Sequence, residues 1–214
     1  MAITWDAVGD RRYETGIDHG VLYPQDGSPP VPWNGLVAVA EAPNLAVTAK
    51  WIDGVKYLEY SRAGGYSAKV KGLTYPDALE RLTGASERVS GVYLHDQQQL
   101  PFHFSYRTLE GDAVNGISSY ELHIIYNCLA TPGEHSYETI GAGFNAQTFD
   151  FDISSTPLQI EGVRPISHLS FDSRRIDPEL LGDIQGAMYD GVSSDPLAAL
   201  GGSVAFIDSV VATP

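Results

Sequence analysis

The side chains able to do chemistry in this chain are few and scattered. It has six histidines. Two of them, His103 and His123, fall in runs that alternate apolar and polar residues. Alternate residues of a strand share one face, so the two imidazoles could stand side by side if the runs pair. Glu121, two residues from His123, would then complete a three-ligand set of the kind that holds a divalent cation. Exposed sheet faces often carry histidine without a metal, and the expectation drawn is that no metal site exists. Asp150 and Asp152 lie about 7 Å apart on one strand face. Paired carboxylates can share general acid–base work, but no aromatic cleft lies near these two in sequence. They read as a solvated acidic face. Cys128, the single cysteine, sits in an apolar alternating run and reads as a buried thiol.

The usual catalytic signatures are absent. No Gly cluster fits GxGxxG, and there is no GK[ST], GxSxG or CxxC. The alternating aromatic runs Phe102-Phe104-Tyr106 and Phe149-Phe151 read as core rather than as a sugar-stacking platform. The expectation is therefore no catalytic residues, no cofactor and no enzymatic activity.

Charge narrows the possible partners. The formal net charge is −14, and no Lys or Arg occurs between Arg107 and Arg164 or after Arg175. Such a chain does not hold nucleic acid by neutralising phosphates. No apolar run is long enough to span a membrane, and the N-terminus lacks the apolar stretch of a secretory signal. Maturation in a cytosol is expected.

The elements that must position these residues are mostly strands. Strand-like runs occupy 33–42, 45–52, 55–61 and 66–74, with Asp53-Gly54 as a two-residue hairpin turn. A short helix follows near 76–83, with Pro76 at its first position, a stripe of Ala78, Leu79 and Leu82, and Gly84 ending it. Residues 85–99 read as a loop. Paired strands are expected at 100–109 and 118–129, each with one buried face, and further strands at 147–154 and 165–172. Asp177 caps a helix whose first residue is Pro178, with Leu180, Leu181, Ile184 and Met188 on one face. A weaker helix is expected at 196–200.

This order is not a βαβ alternation. It predicts a mainly β chain: an antiparallel β-sandwich or partial barrel with two or three short flanking helices and extended terminal arms. Residues 1–32 read as an extended N-terminal arm, 33–175 as the β domain, and 176–214 as a helical segment and tail. Tyr13, Ile17, Val21, Leu22 and Tyr23 are the apolar contacts the arm offers.

Several strings, in this order, resemble the major tail tube proteins of long non-contractile-tailed phages, especially those of actinobacteria. They are WDAVGDRRYETGIDHGVLYP, VPWNGLVAVAEAP, IDGVKYLEY, TYPDALE, FSYRT, YELHIIYNCLATPGEHSYETI, TFDFDISSTP and RPISHLSFDSRRIDP. The likeness covers roughly residues 5–180. It implies a structural subunit that forms homohexameric rings stacked into a tube. The channel would carry a tape-measure protein during assembly and double-stranded DNA, passing without binding, at ejection. Tail terminator and tail tip proteins would be further partners, no membrane would be involved, and the protein would belong to the virion tail after assembly in the host cytoplasm. A conduit for DNA must not hold it, so Glu59, Glu121, Asp150 and Asp152 are the candidate lumen-facing acids. Lys69 and Lys71 depart from that pattern, and residues 190–214 match none of it. The alternatives are the tube of a gene-transfer agent or bacteriocin, and a carbohydrate-binding β-module.

Overall fold

The computed structural model describes residues 11–137, 139, 146–159, 164–191 and 195–196. The elements run β1 (Arg12–Pro24), β2 (Val31–Pro32), β3 (Leu36–Ile52), β4 (Val55–Gly72), α1 (Asp77–Leu82), β5 (Ser86–Val89), β6 (Val92–Leu94), β7 (Phe102–Asp112), β8 (Gly116–Pro132), β9 (Phe149–Ser155), β10 (His168–Asp172) and α2 (Pro178–Tyr189). The fold is mainly β and antiparallel. One sheet runs in the order β2-β1-β7-β8-β9-β4-β3, with β10 paired to β8. Its two ends approach each other: β1 touches β3, and a Cβ built on Gly20 of β1 would lie 3.0 Å from Leu36 Cδ2 of β3. The sheet therefore curls into a partial barrel.

Alternation explains how this curl is filled. Leu22, Tyr66, Val70, Phe102, Phe104, Tyr106, Ile125, Phe151 and Ile153 point to the inside, where Trp33 and the α1 residues Leu79 and Leu82 join them. The opposite faces of β1 and β8 supply Val21, Tyr23, Leu122, Ile124 and Tyr126, and α2 covers these with Leu181, Ile184 and Met188. The central strands β7 and β8 are thus buried on both faces, not on the single face their alternation suggested. A buried aromatic or leucine side chain contributes about 1.5–3 kcal/mol by leaving water.

A one-residue irregularity in β8 sets which side chains go where. Phe102 pairs with Cys128 but Phe104 pairs with Ile125, so β8 carries an extra residue there. Asn127 adopts φ 47°, a value Asn tolerates better than most residues. This bulge turns Cys128 onto the inner face with Ile125 rather than onto the face of Tyr126.

Three expectations change. The segment read as an N-terminal arm is, over Arg12–Pro24, strand β1 of this chain's own sheet, paired with β7. Val21, Leu22 and Tyr23 are buried there, Ile17 packs against the inner cluster, and Tyr13 stays exposed. The Asp18 carboxylate accepts from the Arg107 guanidinium at 2.8 and 2.9 Å and ties β1 to β7. Residues 85–99, read as a loop, contain the short β5–β6 hairpin, whose strands of four and three residues are too short to show a period. Pro76 caps α1 instead of occupying its first turn.

Other local signals hold. Asp53 (φ 51°) and Gly54 (φ 76°) form the β3–β4 turn, both in the positive-φ region that a two-residue hairpin of this type demands. Asp177 accepts from the Glu179 and Leu180 amides and caps α2. The runs 33–42 and 45–52 are one continuous strand, as are 55–61 and 66–72. The Gly64-Gly65 step is no turn but lies inside β4, and Gly65 leaves room that a Cβ would take, at 2.5 Å from the Ser155 carbonyl oxygen. Residues 197–200 of the expected weaker helix, and the tail 201–214, lie outside the described residues.

Deleting residues 1–30 removes β1 and with it Val21 and Tyr23 from the cluster beneath α2. That truncation is expected to yield unfolded protein by circular dichroism, whereas Asp177→Ala is expected to cost only about 1 kcal/mol in urea denaturation.

Candidate functional site

Two features stand apart from the plain core: a long bare hairpin and a histidine pair inside the curl. β3 and β4 pair from Leu36 and Gly72 at the base to Ile52 and Val55 at the tip. β9 supports β4 only over Ser67–Gly72. Beyond Ser67, β4 runs roughly 40 Å to the tip, by strand rise, with only β3 beside it among the described pairings. The tip carries Trp51, Val55, Tyr57 and Tyr60 at 63, 67, 74 and 60% exposure, with Ile52 and Leu58 also exposed. Leu58 and Tyr60 share one face by alternation, and the ladder shifts register between Leu58 and Lys56, with Tyr57 as the extra residue. An isolated two-stranded hairpin is marginal in water, and clustered exposed apolar side chains mark contact surfaces. β3 and β2 end the sheet order and leave open edges.

The candidate lumen acids are mostly paired. Asp150 stands 3.6 Å from Lys71, and Asp152 stands 3.6 Å from Lys69, across the β9–β4 register. Glu59 bonds Lys56 near the hairpin tip. The lysines that looked misplaced in the sequence are thus counter-charges on the same face. Exposed pairs of this kind are worth at most about 1 kcal/mol each, so their effect is on the field more than on stability. Glu121 lies half-buried on the inner side of β8, where its negative charge acts on His123 and His168.

The proposed neighbours His103 and His123 do not meet. Tyr106 pairs with His123 and Phe104 with Ile125, so the apolar face of β7 shares its side with His123. His103 is on the opposite face, against Tyr126, and bonds Gln25 Nε2 at 2.9 Å. His123 instead meets His168 of β10, with Nδ1 to Nε2 at 3.0 Å. Its Nε2 lies 2.9 Å from Thr108 Oγ1, and its ring stacks on Tyr106 at 4.8 Å. Glu41 of β3 reaches across the curl to 3.9 Å from His123 Nδ1. The Tyr106 hydroxyl donates to Glu41 and lies 3.2 Å from the Tyr66 hydroxyl. The sequence reading passed over both Glu41 and His168. His168 alternates with Leu169 in a strand-like run, but no sequence signal places either residue beside His123, because β3 and β10 are far apart in the chain.

Burial lowers the pKa of His103, His123 and His168. For the last two, the negative charges of Glu41 and Glu121 oppose the shift without reversing it. Among the described residues no helix is long and apolar enough to cross a membrane.

The sequence matches no protein-family model and no curated protein. Among solved structures it is similar to a chain of the sheath–tube complex of an extracellular contractile injection system, PVC, in its extended state. There the identity is 9%, the match covers 72% of this chain and 88% of that one, and the TM-score is 0.35. It is also similar to a chain of the anti-feeding prophage baseplate, at 10% identity, 79% and 97% coverage and a TM-score of 0.33. A chain of the PVC sheath/tube terminator matches at 11% identity, 78% and 99% coverage and a TM-score of 0.27. These scores are low.

The three buried histidines set the acid response. Their folded pKa values lie below the ordinary 6.5, so the unfolded chain takes up protons first as the pH falls. Their contribution is whole above pH 6.5 and declines below it, towards the folded values. The urea midpoint of metal-free protein is expected to drop between about pH 7 and pH 5. The paired carboxylates Asp18, Asp26 and Asp172, held below 3.8, add their loss only at still lower pH.

Proposed function

We propose that this chain is a structural subunit of a phage tail tube. Copies assemble as hexameric rings, and the rings stack around a channel that houses a tape-measure protein during assembly and passes the genome at ejection. The observation that carries this reading is the bare β3–β4 hairpin. Trp51, Val55, Tyr57, Leu58 and Tyr60 are exposed on a two-stranded ribbon with no covering layer among the described residues, and a second copy of the same chain supplies that layer.

The open edges offered by β3 and β2 fit the same role. Edge strands are a hazard in a monomer, and in a cyclic assembly they become joining surfaces between identical copies. The sequence resemblance supports the reading independently, since its strings run through β1, β3, the hairpin turn, β7, β8, β9 and β10. Charge is compatible with passage of DNA. The chain is strongly acidic, and the lysines of β4 each face an aspartate of β9, which leaves no free cationic strip on that face to grip phosphates.

The test is a triple substitution, Trp51→Ser with Tyr57→Ser and Tyr60→Ser. The native chain, expressed with the tail genes beside its own, is expected to give rings or tubes by negative-stain microscopy. The variant should keep the native circular dichroism spectrum and remain monomeric by light scattering. Tubes formed equally well by the variant would remove the hairpin from the assembly. A native chain that stays monomeric beside its tail partners would overturn the tube reading itself.

A further inference from the structure

We propose that Glu41, His123 and His168 form a binding site for a divalent transition-metal cation of the zinc class. The inference is independent of the assembly proposed above. The ligand atoms of the three residues all lie within 4.8 Å of one another, and they come from the paired strands β8 and β10 and from β3, which is no sheet neighbour of either. Two imidazoles and one carboxylate are a recurrent donor set for zinc, which takes three protein ligands and leaves a fourth position to water.

The geometry is close to what such an ion needs. Zinc holds imidazole nitrogens at about 2.0–2.1 Å, which puts two of them ~3.3 Å apart in a tetrahedron. His123 Nδ1 and His168 Nε2 stand at 3.0 Å, so the rings need part by only a few tenths of an ångström. Glu41 Oε1 must close from 3.9 Å to His123 Nδ1, in a group whose ligand atoms span up to 4.8 Å, to the same ~3.3 Å; its side chain is open enough to solvent to make that larger move. That same opening gives an ion a way in, while His123 is nearly closed off.

The outer partners are those of an oriented site. His123 Nε2 is fixed by the Thr108 hydroxyl, which leaves Nδ1 as the nitrogen directed at His168. The Glu41 carboxylate is held by Tyr106, and Tyr106 by Tyr66. Metal-bound histidines characteristically have such a second partner on the remaining ring nitrogen; on Glu41 the Tyr106 hydroxyl and the histidine pair share Oε1, whose two lone pairs can serve both. Tyr66 also packs its ring on His168 at 5.0 Å, and Tyr106 stacks on His123, so both imidazole planes are fixed. One hydrogen is shared between the two rings; for both neutral imidazoles to turn a bare nitrogen to the cation, that hydrogen moves to the other nitrogen of its own ring.

Full-length protein, stripped with a chelator and titrated with cobalt(II), is the direct probe. The expected result is a set of visible d–d absorption bands of tetrahedral intensity, saturating at one cobalt per chain and abolished by one equivalent of zinc. His168→Ala and Glu41→Gln should each weaken cobalt binding at least tenfold. Thr108→Val, which leaves all three ligands in place, should weaken it by roughly 10-fold or more through its orienting contact. Circular dichroism checks that each variant is folded, and Glu41→Gln, which keeps the size of the side chain at a solvent-accessible position, is the variant on which the assignment stands. Absence of the bands, or cobalt binding unchanged in Glu41→Gln, would overturn the site.

Discussion

The structure depends on burying both faces of one strand pair. β7 and β8 place Phe102, Phe104, Tyr106 and Ile125 inside the curl and, on the reverse, Leu122, Ile124 and Tyr126 beneath α2. Every other element is arranged by this pair. β1 adds to one side of it, β9 and β10 to the other, and β4 and β3 follow β9 round until the sheet nearly meets itself. Because apolar burial is the largest favourable contribution to folding, the central pair is the rigid part. The strands farthest from it keep the least support, and the hairpin of β3 and β4 is the extreme case.

Local chemistry was legible in the sequence, and distant registration was not. Asp53-Gly54 and Asp177-Pro178 specify a turn and a helix start from a few adjacent residues, and both formed where expected. The stripe of Leu79 and Leu82 gave α1. The runs 33–42 and 45–52 were read as two strands, but β3 lies at the end of the sheet, where a proline is tolerated, and it runs on through Pro43. The ladder merely shifts there, between Pro43 and Leu45. The apolar residues of β1 were visible as such, but nothing within thirty residues of them says that their partner is β7.

The histidines show the limit most clearly. Alternation placed His103 and His123 each on the polar side of its own strand. Which side of one strand matches which side of the next is fixed by register, and Tyr106 opposite His123 puts the two histidines on opposite faces of the sheet. A bulge at Asn127 changes the phase once more. Glu41 and His168 became neighbours of His123 only because the sheet curls. A one-dimensional pattern carries no information on that curvature.

The Lys–Asp rungs between β4 and β9 have a consequence beyond their small energies. Lys69 with Asp152 and Lys71 with Asp150 set two positive charges on β4 beside two negative charges on β9, a patch whose monopole is nil. The potential above such a patch decays far faster with height than that of a uniformly acidic wall, and dissolved salt alters it little. A polyanion drawn over these rungs would meet a short-ranged dipolar field, with neither a sticky trough nor a steep repulsive ridge.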